Sequence, residues 1–225
     1  MRMRLKKHLD ERIAECKDIL LVREGDEFYK LTETEKENFR QDLSAVFGND
    51  NPVVLEIGCG KGAWAITSAR LHPEKNYLGV EKLSNVVVVA CEQALQHGVQ
   101  NLKFLNCRAE NLGYVLPPSS IDEIDLNFSF PFPKKTYAYR RLTSKNFLAL
   151  YKKILKPNAV IYQKTDDLSF FEWSIESYRE NGYEVFDVCY DLPENAEGNV
   201  VTEYEAKFRA IGKPIYSLKA ISPRQ

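Results

Sequence analysis

The chain has 225 residues, 44% of them hydrophobic and 28% charged, with a formal net charge of -1. That length and composition suit one α/β domain with some decoration and exclude a disordered chain. No apolar run approaches the roughly 20 residues a membrane span needs, and no apolar signal region follows the basic start Met1-Arg2-Met3-Arg4-Leu5-Lys6-Lys7, so a cytoplasmic protein without a membrane partner is expected, as a monomer or homodimer.

Residues 1–50 are charged and read as a partly helical extension, with Thr32-Glu33-Thr34-Glu35 as a helix start; residues 51–225 read as the main domain. Pro52 to Ile57 is a short apolar run ending in glycines, the mark of a buried strand. Next come a helix over 61–72, a strand over Asn76 to Val80, a helix over 83–97 with a buried valine run, and a strand over Leu102 to Asn106. A strand over Ile121 to Phe128 precedes a helix over 143–155, whose Phe147, Leu150, Tyr151, Ile154 and Leu155 share a face. Ala159 to Gln163, Glu184 to Tyr190 and Ile215 to Ile221 complete the strands, with a helix over 168–181. The alternation predicts a doubly wound, mostly parallel, seven-stranded Rossmann-like α/β sheet with helices on both faces. The last two strands lack full crossover spacing, so one of them is expected to run antiparallel at an edge.

The five cysteines, Cys16, Cys59, Cys91, Cys107 and Cys189, form no C-x-x-C pair, and His8, His72 and His97 have no ligand spacing. Reduced thiols and no metal are expected. Charge is unevenly distributed. Residues 126–165 hold Lys134, Lys135, Arg140, Arg141, Lys145, Lys152, Lys153, Lys156 and Lys164 and no Asp or Glu, so a basic face suited to phosphates is compatible with the net charge. A solvated lysine-bearing helix is the plainer alternative.

The strongest local motif is Glu56-Ile57-Gly58-Cys59-Gly60-Lys61-Gly62, between the first buried strand and its helix. Gly58 and Gly60 let the backbone approach a ligand closely, yet the spacing is not that of a dinucleotide loop. Glu56 before the turn suits a cationic amino-acid tail better than a pyrophosphate. Glu81, at the carboxyl end of the next strand, is placed to accept hydrogen bonds from both ribose hydroxyls of an adenosine. Together they point to S-adenosyl-L-methionine, with S-adenosyl-L-homocysteine as product. Arg108 and Glu110, after the third strand of the main domain, lie where the adenine is expected; Glu110 reads equally well as a favourable acid at a helix start. Asn127, near the end of the next strand, is grouped with the cofactor residues.

Beyond it runs Phe128-Ser129-Phe130-Pro131-Phe132-Pro133-Lys134-Lys135, a stiff loop of aromatics beside lysines. Stacking surface next to cations is a pattern of RNA binding; a proline-rich turn with core aromatics is the structural alternative. Lys164-Thr165-Asp166 follows the strand over Ala159 to Gln163, again at its carboxyl end. Thr202-Glu203-Tyr204-Glu205 fits a capping box, with Gly212 as the helix stop.

These stretches, with Val46 to Pro52, Gly79-Val80-Glu81, Arg140-Arg141-Leu142-Thr143 and Gly212 to Tyr216, resemble the bacterial tRNA (guanine-N7)-methyltransferase family in order over residues 46–216. The resemblance implies methyl transfer to a guanine in the tRNA variable loop. It implies cofactor contacts by Glu56 and Glu81, and substrate contacts by Lys134, Asp166, Thr202 and Glu205; Arg140, Arg141, Glu203 and Tyr204 are grouped with the latter. The family's loop reads Asn-Phe-Ser-Asp-Pro-Trp-Pro-Lys, so its proposed catalytic Asp is Phe130 here and its Trp is Phe132. The family's Asp beside the adenine aligns with Arg108, and its Arg-His after the lysines with Thr136-Tyr137. Guanine N7 carries a free lone pair and needs no general base, so the reaction chiefly requires alignment and exclusion of water. Phe130 is then a positioning residue, and Asp166 or Glu205 shares the role of the missing carboxylate toward the base. The rival readings are a tRNA-binding protein of the same fold with little or no turnover, and a methyltransferase for another acceptor.

Overall fold

The structure, a computed structural model, describes residues 7–25 and 28–221; residues 1–6 of the basic start lie outside them. The chain divides into two compact units, Met1–Pro117 and Pro118–Gln225. No helix among the described residues is long and apolar enough to cross a membrane.

The first unit runs α1 (Leu9–Glu15), β1 (Leu20–Arg23), α2 (Glu33–Glu37), α3 (Leu43–Phe47), β2 (Val53–Ile57), α4 (Ala63–Leu71), β3 (Asn76–Val80), α5 (Ser84–Gln96), β4 (Leu102–Asn106) and α6 (Leu112–Val115). Its strands lie in the order β1-β4-β3-β2, and the pairings of β1 with β4, β4 with β3 and β3 with β2 are parallel. Every residue of β2 and β3 is buried, as mostly apolar strands in a covered parallel sheet should be. Thr32 caps α2 through a full capping box with Glu35. In α5 the valine run buries Val87 and Val88.

The described residues hold eight strands where the sequence pattern predicts seven. The additional strand, β1, comes from the stretch read as a helical extension. Ile19, Leu20 and Val22 are buried, and the register Leu20↔Phe104, Val22↔Leu105, Arg23↔Asn106 ties them to β4. The run is short and set among charges, so its strand character comes from its partner and its burial. Each such side chain, fully buried, contributes roughly 1.5–3 kcal/mol.

The second unit runs β5 (Ile121–Asn127), α7 (Lys145–Ile154), β6 (Leu155–Thr165), α8 (Leu168–Glu180), β7 (Glu184–Cys189), α9 (Glu203–Ala210) and β8 (Tyr216–Ile221), in the strand order β5-β6-β8-β7. β5 and β6 are parallel, while β8 is antiparallel to both β6 and β7. An antiparallel strand is therefore present, but it lies between two others and β7 ends the row, contrary to the expected edge position. β8 follows α9 and pairs antiparallel with β6 from Val160↔Ile221 to Thr165↔Tyr216. The buried face of α7 carries Phe147, Leu148, Tyr151 and Ile154, with Leu148 in the place expected of Leu150.

All five cysteines are free thiols; Cys16, Cys59, Cys91 and Cys107 are buried in the first unit and Cys189 is half-buried in the second.

Candidate active site

In the first unit the parallel strands end together, and the turn after β2 is shaped by glycine. Gly58 and Gly60 have φ of +87° and +57°, a region open to glycine at little cost. Nothing lies within 4 Å of where a Cβ would stand on either. The Gly58 and Cys59 N–H groups both donate to the Val80 carbonyl, at 2.8 and 3.0 Å, which fastens the turn to the end of β3. At Gly79 the constraint is packing: a Cβ there would lie 2.7 Å from the Phe104 ring.

Glu56 is buried on β2. Glu81 follows β3, partly exposed, and its Oε1 accepts the Leu83 N–H at 2.8 Å. Burial pushes the Glu81 carboxyl above its ordinary pKa, opposed by hydrogen bonds from the backbone of Leu83, Gly60 and Lys82. Asn106, the last residue of β4, holds this turn: its Nδ2 donates to the Glu81 carbonyl at 2.8 Å, and its Oδ1 accepts from Ser84 Oγ at 2.7 Å. Sequence reasoning missed Asn106; an amide as the last residue of a strand was the available signal, and its burial shows only in the structure. Arg108 and Glu110 are both exposed, Arg108 preceding a 3₁₀ turn over Ala109–Asn111 and Glu110 within it. The glycine turn leaves room for a ligand backbone and Glu81 offers acceptor oxygens, so these residues fit the adenosine and amino-acid ends of S-adenosyl-L-methionine. Asn127 lies in the second unit, at the end of β5.

In the second unit the loop after β5 is strained and clamped. Phe128 and Phe132 adopt φ of +51° and +43°, unusual for bulky residues and characteristic of functional loops. The Arg141 guanidinium explains how the loop is held. It is buried, donates to the Pro131 carbonyl at 2.8 Å and to the Phe132 carbonyl at 3.2 Å, and sits 4.3 Å from the Trp173 ring. Burial lowers its pKa. Arg140 points elsewhere: it is exposed and lies over the Phe132 ring at 4.9 Å and the Tyr137 ring at 5.9 Å. Phe130, 65% exposed, meets Phe132 edge-on at 4.9 Å. Lys134 is exposed at the start of a 3₁₀ turn over Lys135–Arg140.

Asp166, after β6, accepts from Lys213 Nζ at 2.6 Å, and Lys213 lies 4.8 Å from the Phe208 ring. Phe208, Tyr204 and Phe128 form an aromatic group with centroids 5.8–6.4 Å apart. Of the Thr202 to Glu205 stretch, Glu203 and Tyr204 are exposed and Thr202 and Glu205 buried. The expected capping box is half formed. Thr202 Oγ1 accepts the Glu205 N–H at 2.9 Å, but the Glu205 carboxylate turns inward and meets Lys164 Nζ at 2.8 Å, both side chains 0% exposed. Asn199 and Arg209 also donate to Glu205, at 2.9 Å and 2.7 Å. Lys164 donates further to Asn199 Oδ1 and the Val200 carbonyl, each at 2.9 Å. Gly212 ends α9 at φ +73°, with Lys213 N–H donating to the Phe208 carbonyl at 3.1 Å, the expected glycine stop.

A family model described as "Putative methyltransferase" matches residues 50–218. Among solved structures, a 16S rRNA (adenine(1408)-N(1))-methyltransferase from Catenulisporales acidiphilia, solved with its cosubstrate SAM, gives a TM-score of 0.58 at 16% identity, over 92% of this chain and 98% of that one. An antibiotic-related methyltransferase gives 0.59 at 18% identity, over 87% of this chain and 95% of that one. The fold is thus the Rossmann-like α/β fold of methyltransferases. The tRNA (guanine-N(7)-)-methyltransferase of Bacillus subtilis is 39% identical over 217 residues, 96% of each chain, and that of Geobacillus kaustophilus 41% over 192 residues, 85% of this chain and 87% of that one. The chain belongs to the tRNA (guanine-N7)-methyltransferase family.

Proposed function

We propose that the protein methylates N7 of a guanine in the variable loop of tRNA, in the cytoplasm, using S-adenosyl-L-methionine. The observation that carries this reading is the open glycine turn after β2 beside the backbone-held carboxylate of Glu81, in a chain whose relatives are named for that reaction. When bound, the cofactor supplies an electrophilic methyl group on a sulfonium. Glu56 faces its amino-acid end, Gly58 and Gly60 admit it, and Glu81 accepts from its ribose hydroxyls.

The acceptor nitrogen is already a lone-pair donor, so no side chain has to remove a proton before transfer. The second unit's residues bind and orient. Lys134 and Arg140 meet phosphates, Phe130 stacks on a base, and Tyr204 extends the aromatic surface. Asp166 accepts from the guanine's ring donors and offsets the positive charge that develops on the base; Lys213 holds one of its oxygens. Thr202 and Glu205 act from inside, by fixing the start of α9. Arg141 acts through the loop it clamps.

The test is purified protein with unmodified tRNA and methyl-labelled cofactor, followed by nucleoside analysis. N7-methylguanine is the expected product. Binding of tRNA and cofactor with no N7-methylguanine, while the Bacillus subtilis relative works alongside, overturns the enzymatic reading in favour of a binding protein.

A further inference from the structure

By the resemblance, the family's carboxylate beside the adenine is replaced here by Arg108, and a carboxylate from the end of another strand lies against the backbone of that residue. β1 runs parallel to β4 with Arg23 opposite Asn106, and the Glu24 N–H donates to the Asn106 carbonyl at 2.8 Å. Glu24 therefore leaves β1 at the same edge where Arg108 leaves β4. Its Oε2 accepts the backbone N–H of Arg108 at 2.7 Å, which anchors the carboxylate at the backbone of residue 108. Its Oε1 is 3.9 Å from Arg108 Nε, beyond hydrogen-bonding distance. The Glu24 side chain is 11% exposed, whereas that of Arg108 is 72% exposed. The carboxylate is thus fixed at the strand ends and the guanidinium reaches outward.

We infer that Glu24 supplies, from β1, the carboxylate that the family carries at position 108, and that it accepts a hydrogen bond from the N6 amine of the cofactor's adenine. This rests on the proposed cofactor site. Neighbouring strands are about 4.8 Å apart, and the Glu24 side chain spans that gap, since its Oε2 already accepts the N–H of residue 108. An ionised carboxylate only accepts. It favours adenine, whose position 6 donates, over hypoxanthine, whose position 6 carries an oxygen. Arg108 Nε, which only donates, would set the opposite preference.

The experiment is calorimetry on the full chain with S-adenosyl-L-homocysteine and S-inosyl-L-homocysteine. Wild type should prefer the adenosyl ligand by about 10- to 150-fold, the range for a hydrogen bond to a charged group. E24Q keeps an oxygen for the Arg108 N–H and turns an NH₂ toward the base, so the preference should largely vanish. The double variant E24Q/R108D, which places an aspartate just after β4, should restore it. An E24Q protein that weakens both ligands equally, or neither, shows that Glu24 only ties β1 to β4 and overturns the inference. A double variant with no recovered preference does the same, provided both variants melt cooperatively. Wild type that binds neither ligand overturns the cofactor reading itself.

Discussion

Glu81 is half withdrawn from water and held by backbone N–H groups, so its carboxylate is aimed before any ligand arrives. Glu81→Ala should weaken S-adenosyl-L-homocysteine binding by about 1.5–3 kcal/mol, the scale for hydrogen bonds to a charged group; unchanged calorimetric affinity in a folded variant removes Glu81 from the site. Because burial raises its pKa, binding should be complete well above the ordinary glutamate value of about 4.3 and decline as pH falls through the raised value. Stability runs the other way: a carboxyl that binds its proton more tightly when folded favours the folded state toward low pH. The two neighbouring arginines should separate cleanly. Arg140→Ala removes an exposed cation, so the slope of log affinity for tRNA against log salt should shrink by roughly 0.7–0.9, with cofactor binding untouched. Arg141→Ala leaves the Pro131 and Phe132 carbonyls without their donor, so it should cost roughly 1–3 kcal/mol of stability, seen in denaturant unfolding. An unaltered salt slope in Arg140→Ala would move the RNA to another surface. Phe130→Ala should slow turnover by about 5- to 150-fold, the effect of losing a stacked base partner, with cofactor affinity intact; Phe130→Asp should be tolerated.

At the level of elements, the start of α9 is set by an ion pair that no local pattern reveals. Thr202 and Glu205 have capping-box spacing, and half of that box forms. The other half is lost to Lys164, 41 residues earlier in the chain, a partner visible only once β6 and α9 are packed. Burial pushes the Glu205 carboxyl upward, but hydrogen bonds from Lys164, Asn199 and Arg209 outweigh it and hold it below the ordinary range. Its contribution to stability should be fully present above about pH 4.3 and lost as pH falls through the lower folded value. Glu205→Ala removes the carboxylate that faces the buried Lys164 ammonium and should cost about 3–5 kcal/mol, with the acid limb of the stability profile flattened; a loss under 1 kcal/mol in urea unfolding would mean that the pair is hydrated in solution. β3 and β4 match their sequence-predicted bounds because turn residues flank them. β1 does not announce itself, since four residues among charges show no period, and Glu24 was hidden with it.

For the whole molecule, fold class and family were readable because strand–helix alternation and ordered motifs extend over much of the chain. The division at Pro117/Pro118 was not, since no linker composition marks it. Nor did the basic run between 126 and 165 show which cations face outward: Arg141 and Lys164 are buried within it, while Lys134 and Arg140 are exposed. The thiols divide the molecule in another way. Burial raises the pKa of Cys16, Cys59, Cys91 and Cys107, the last to about 12, and all four belong to the first unit. Iodoacetamide at neutral pH should therefore add a single tag to the native protein, at Cys189. Each further increment of mass then counts an opening of the first unit, so an alkylation ladder followed by mass spectrometry becomes a clock for that half alone, and a bound cofactor should slow it.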